Sequence, residues 1–169
     1  MADFEDIELG ESLDPRDKDR FLTVLAHRSS IIQDGFAYWQ SKCPPDALPR
    51  RADIDPFDIC PIMPHIVLID VRGEPRDFCY RVVGSAVVEH WTEDWTGVCM
   101  SEIPGQGPES KLWTSCDLVV TGRRPLLSRI PYVGPHADFL DIEDVILPLV
   151  GDDGAVEKLL VFIAFINKR

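Results

Sequence analysis

Cysteines, histidines and paired acids are the residues of this chain whose types could do chemistry, as thiolates, metal ligands, or general acids and bases. Cys60 and His65 stand across Pro61 and Pro64 without a second Cys or His pair at the short spacing of a structural zinc site, so no metal is expected. Cys79 and Cys116 have no histidine that the sequence can set beside them, and both read as buried structural thiols. Glu143-Asp144 and Asp152-Asp153 would serve acid/base chemistry only if held in a cleft with separated proton affinities; solvated turn residues are the plainer expectation. Gly105-Gln106-Gly107-Pro108 precedes a predicted helix and could aim amides at an anion. It follows no strand, however, and lacks the Lys-Ser/Thr element of a phosphate loop, so it reads as loop punctuation. No nucleophile, base and orienting group can be assembled, and no enzymatic activity is expected.

The elements that position these residues belong to an ordinary globular chain. Its 169 residues suit one domain, with 45% apolar and 27% charged residues. A net charge of −12 argues against nucleic acid and anionic membrane as partners, because phosphate binding needs a clustered cationic face. The first twenty residues hold eight acids against three bases and no apolar core, unlike a signal peptide, and no apolar run approaches a bilayer span, so a cytoplasmic location is expected. Five cysteines, odd in number and without framework spacing, fit a reducing compartment.

Residues 1–14 are acidic and poor in core-forming side chains, and they read as a mobile tail. Over residues 15–43 the spacing of Leu22, Leu25, Ile32, Phe36 and Trp39, with Ser29 between, predicts one amphipathic helix with Pro15, Asp17 and Asp19 at its start. Cys43-Pro44-Pro45 ends it, and Gly35 inside it suggests a close contact. Residues 44–64 carry six prolines and predict an extended strap with at most one short turn near 56–59. Strands follow at 66–71 and 78–83, the second with Phe78, Tyr80 and Val82 on one face and Cys79, Arg81 and Val83 on the other. Short helices come next, at 85–90 and at 108–121 with Gly122 as cap. Three strands at 125–133, 140–150 and 156–166 complete the pattern; Glu143 and Asp144 suggest a bulge, and Gly151-Asp152-Asp153-Gly154 a hairpin. Two strands, helices, then three strands make an α+β fold with an antiparallel sheet. Residues 66–69 and 159–166 are apolar throughout, so those two strands belong in the middle.

Residues 48–84, LPRRADIDPFDICPIMPHIVLIDVRGEPRDFCYRVVG, with Trp39 upstream and Ser85-Ala86-Val87-Val88-Glu89-His90 downstream, resemble a known family. The similarity is to the single-domain alphaproteobacterial PAS-like proteins, whose pattern runs W, a spacer, LPxRxDxDPxD, LPxxxxxDV, RDFxYRxxGT; Ser85 replaces the usual Thr. The resemblance covers most of the chain. It implies a five-stranded sheet of order 2-1-5-4-3 with helices on its inner face, residues 44–169 as the PAS-like domain, and a bacterial sensory role in signal transduction. Within the signature, Arg50, Arg51, Asp53 and Asp55 are expected to pin the strap by ion pairs and capping.

Tyr80, His90, Trp91, Trp95, Trp113 and Cys116 would then fall on or near the inner cavity, either lining a ligand site or filling the core. Arg81 and Arg129 would anchor a carboxylate if they point inward, although both read more plainly as solvated. Neither flavin nor haem is expected, and no other cofactor is identified. The reactive-cysteine string resembling GxNCRFLQ is absent, and His90 and His136, the positional candidates for a haem ligand, read more plainly as packed side chains. The function expected is a non-enzymatic sensory domain binding a small molecule or signalling through association with a regulatory protein. A homodimer is expected through Leu22, Leu25, Ile32, Phe36 and Trp39. The alternative is an interaction module whose pocket is packed and empty.

Overall fold

The computed structural model describes residues 18–132 and 135–168. The expected acidic tail, with Pro15 and Asp17 of the expected helix start, lies outside them. Two helices, α1 (Lys18–Ala26) and α2 (Ser30–Lys42), lead into a strap with 3₁₀ turns at Arg51–Asp53 and Pro56–His65. Then come β1 (Ile66–Arg72), β2 (Asp77–Val83), α3 (Ser85–Trp91), a 3₁₀ turn at Met100–Glu102, α4 (Lys111–Gly122), β3 (Leu126–Pro131), β4 (Phe139–Val150) and β5 (Val156–Asn167). All neighbouring strands pair antiparallel in the order β2-β1-β5-β4-β3. The two strands that are apolar on both faces lie at the centre because both faces are covered. On the inner face Val67, Ile69, Leu159 and Val161 meet Val87 of α3 and Trp113, Cys116 and Val119 of α4. On the outer face Leu68, Val145, Leu147 and Phe162 meet Phe21, Ile32, Phe36 and Trp39 of the N-terminal helices. Among the described residues no helix is long and apolar enough to cross a membrane.

The strap is held as its charges predict. Arg50 pairs with Asp152 at 3.0 Å, Asp53 accepts the Arg50 N–H at 2.8 Å, and Asp55 caps the N–H of Phe57 at 3.0 Å. Its 3₁₀ stretch runs to His65, longer than the single turn expected. Gly35 marks the approach of α2 to the sheet, where a Cβ would lie 2.4 Å from Cγ of Phe162.

Several local expectations are corrected. The single helix over 15–43 breaks at 27–29, where Ser29 is extended and its N–H donates to Oε2 of Glu143 at 3.0 Å. The shared apolar face is turned into the molecule: Leu25, Ile32, Phe36 and Trp39 are buried against the chain's own sheet, and only Leu22 of the five expected interface residues is exposed. β4 runs in register through Glu143 and Asp144; its irregularities fall at Phe139/Asp141 and Leu149/Val150. In β2 the extra residue Arg81, between the pairs Leu68↔Val82 and Ile69↔Tyr80, reverses the alternation. Val82 therefore lies beside outward-facing Leu68, and Val83 turns inward with Phe78 and Tyr80. Arg123, not Gly122, takes the left-handed position after α4, with φ of 53°.

Cys79 is not a free thiol, since it forms a disulfide with Cys99. The segment before Met100 pairs antiparallel beside β2, Tyr80 donating its N–H to the Val98 carbonyl at 3.0 Å, and sets the two cysteines opposite each other. Cys43, Cys60 and Cys116 are free.

Candidate functional site

Alternation along β4 gives the two neighbouring acids opposite surroundings. Glu143 belongs to the outer row with Val145 and Leu147, and Asp144 to the inner row between Ile142 and Ile146. Neither is the solvated turn residue expected. Glu143 is 3% exposed, takes the Ser29 N–H, and has Nε of buried Arg28 at 4.0 Å. Burial holds the Arg28 guanidinium below its usual range, and Glu143 opposes that shift.

Asp144 accepts one hydrogen bond, from Oγ of Ser128 directly opposite on β3, at 2.6 Å. Desolvation pushes its carboxyl up to about 6, against the Ser128 bond and the charge of Arg28 behind the sheet. Among the described residues no ion pair reaches it. From α4 the facing polar group is the Cys116 thiol, which burial keeps protonated, with Asp144 and Asp117 acting in the same direction.

The inner layer has two halves, each with buried and half-buried side chains. Under β1 and β2, Val67, Ile69, Phe78, Tyr80, Met100 and Ile103 are buried, while Val71 and Val83 are half-buried. Toward β3 and β4, Ile142, Asp144 and Phe165 on the sheet, Leu112 and Val120 on α4, and Trp91 on α3 are each only half-buried. These half-buried side chains mark the β3 and β4 end of the inner layer. At its far end His90 stacks on Phe165 with ring centroids 3.6 Å apart, and its Nδ1 shares a 2.8 Å hydrogen bond with the Tyr132 hydroxyl. Burial and the neighbouring His136 imidazole, 5.0 Å away between centroids, hold His90 below its usual range against the pull of Glu89.

The residues singled out in the sequence divide between these halves. Tyr80 lies in the half under β1 and β2, donating to Oε1 of Gln106 at 2.6 Å, with Trp91 edge-on at 5.3 Å. Trp113 stands edge-on to Phe78 at 5.0 Å, Trp95 packs at the rim, and Cys116 closes the floor. His90 stacks on Phe165 at the β3 and β4 end of the layer, and half-buried Trp91 follows it on α3. Arg129 is not part of this layer, because it shares the outer row with Glu143 and pairs with Asp141 at 2.6 Å. Arg81 is exposed. Sequence reasoning singled out Asp144 only as one of a pair of solvated acids, and it missed Ser128, Tyr132 and Phe165. A signal for Asp144 was present: alternating acids on a strand covered on both faces must put one of them on the inner side.

Among the described residues, Asp77, Cys79 and Cys99 are the group whose ligand atoms come close enough for a metal. The disulfide occupies both sulfurs, and Asp77 is taken up by Ser101, whose hydroxyl donates at 2.5 Å.

No curated protein matches the sequence. A family model, the PAS domain, matches residues 26–164, a span that takes in α2, both helical covers of the inner face and nearly all of the sheet. That match and the strand order agree on one assignment: the chain belongs to the PAS domain family.

Proposed function

We propose that this protein is a non-enzymatic sensory domain that takes a small molecule into the inner-face cleft and passes its state on by association. The observation that carries the reading is the β3 and β4 end of the inner layer, where half-buried Ile142, Phe165, Leu112 and Val120 lie with a few polar groups, Asp144, Ser128 and His90. Ligand sites have that composition: an apolar concavity with a small number of placed polar atoms. A ligand filling the gap would favour one packing of α3 and α4 over others, and such a difference in affinity is all that population shift requires. The domain limits expected from the sequence are kept in this reading; the Cys79–Cys99 disulfide runs against the reducing compartment expected from the five cysteines. Native mass spectrometry with an ultraviolet-visible spectrum of the protein as purified from cells tests it. Extra mass that is lost in Ile142→Trp, which fills the cleft, is expected. A bare polypeptide mass, with no melting shift from a library of small ring compounds, would contradict it.

A second reading, self-association, is favoured by a different patch. Phe57 is 85% exposed and Val82 39%, beside an apolar hollow of about 80 Å³ lined by Pro56, Ile59, Met63 and Leu68. A protruding ring next to an apolar hollow suits a two-fold interface, in which each copy fills the other. This replaces the buried N-terminal face as the proposed dimer surface. Light scattering on the wild type and on Phe57→Ser decides it, with a dimer and a monomer respectively as the expected masses.

A further inference from the structure

Resting on the cleft reading above, we propose that the ligand is a small organic cation, an amine or protonated nitrogen heterocycle joined to an apolar ring, whose N–H donates to the Asp144 carboxylate. The inner row supplies a carboxylate with one hydroxyl partner and no counter-charge on its own face. Such a group is stable in an apolar layer only when a cation or further donors complete it. Arg28 does not do this, since it lies on the outer face beside Glu143. Facing Asp144 are Ser128 from β3, Ile163 from β5 and Cys116 from α4, none of them cationic, while His90 on α3 stands at the other end beside Phe165. Negatively charged ligands are disfavoured for the same reason.

Register sets the size. Ile142 pairs with Phe165 one row along the same face from the Asp144↔Ile163 pair. Same-face neighbours on a strand are about 6.7 Å apart. One six-membered ring over Ile142, beside Phe165 whose face His90 covers, and carried on a single methylene, therefore reaches the carboxylate with its nitrogen. Benzylammonium has these dimensions; benzyl alcohol keeps the ring without the charge, and benzoate inverts the charge.

The affinities of these three probes, measured by protein-observed NMR at about pH 7.5, test the proposal. Benzylammonium is expected to bind about tenfold more tightly than benzyl alcohol, with benzoate weakest. Asp144→Asn should bring benzylammonium and benzyl alcohol within about twofold of each other, while Ser128→Ala keeps the preference because the charge remains. In the wild type, lowering the pH to about 5 should weaken benzylammonium about tenfold and leave benzyl alcohol unchanged, a readout that needs no variant to fold. If benzyl alcohol or benzoate binds as tightly as benzylammonium, the cleft stands and the cationic class is wrong. If none of the probes perturbs the inner-face resonances, the cleft reading fails and this inference falls with it.

Discussion

Glu143 and Asp144 are adjacent on one strand, yet the sheet gives them different tasks. On the outer face Glu143 accepts the Ser29 N–H and has the buried guanidinium of Arg28 at 4.0 Å, a contact of opposite charges without a hydrogen bond. That arrangement stops one helix, starts the next, and ties both to β4. On the inner face Asp144 is half-buried and has a serine hydroxyl as its hydrogen-bond donor. A buried charge that its own chain neutralises is a structural device, whereas one left incomplete beside accessible surface is a candidate contact for something else.

The largest effect should come from breaking the outer-face pair. Glu143→Gln would leave Arg28 buried without its counter-charge, costing about 3 kcal/mol or more in urea unfolding. The double change Arg28→Met with Glu143→Leu should recover most of that loss, since an apolar pair of similar volume needs no partner. Additive losses in the double variant would mean that the pair is not coupled.

Asp144→Asn should act in the opposite direction and depend on pH. A folded-state value near 6, above the ordinary carboxyl value, means that the native protein holds this proton more tightly than the unfolded chain. This group's contribution to stability is therefore full below about pH 4 and lost as pH rises through about 6. Removing the charge should stabilise the protein by up to about 3 kcal/mol at pH 8 and by little at pH 4. A pH-independent loss would show that the carboxylate is already satisfied.

Smaller changes sharpen the comparison further. Gly35→Ala forces a Cβ into the Phe162 ring and should destabilise by about 1–3 kcal/mol in spite of the better helix propensity of alanine. A neutral result would mean that α2 can lift away from the sheet. Tyr80→Phe removes the hydroxyl that bonds Gln106 and should cost about 1 kcal/mol in chemical unfolding without changing probe binding, because it lies on β2, away from the β3–β4 pair that holds Asp144. Altered probe affinity would extend the site beneath β2.

Much of the scaffold was legible in the sequence because it depends on local pattern. Doubly apolar stretches at 66–69 and 159–166 marked the central strands, and Gly151-Asp152-Asp153-Gly154 marked the hairpin between β4 and β5. The helix break was not legible, since the group that takes the Ser29 N–H lies 114 residues away. The bulge at Arg81 likewise arises from pairing with β1, and the Cys79–Cys99 bond from pairing with a segment beyond α3. The aromatic residues of the inner layer were recognised, but the polar groups that give the cleft its chemistry were not. Whether a carboxylate on a strand is solvated, paired or left incomplete is decided by which elements cover each face.

The most direct test of the account is a ¹³C NMR titration of the Asp144 carboxyl carbon, alone and with benzylammonium. A midpoint near pH 6, as the buried environment implies, that falls when the cation is added would match an incomplete inner-face carboxylate taking a cationic ligand. A midpoint near the ordinary aspartate value of about 3.9, unmoved by the probe, would contradict it.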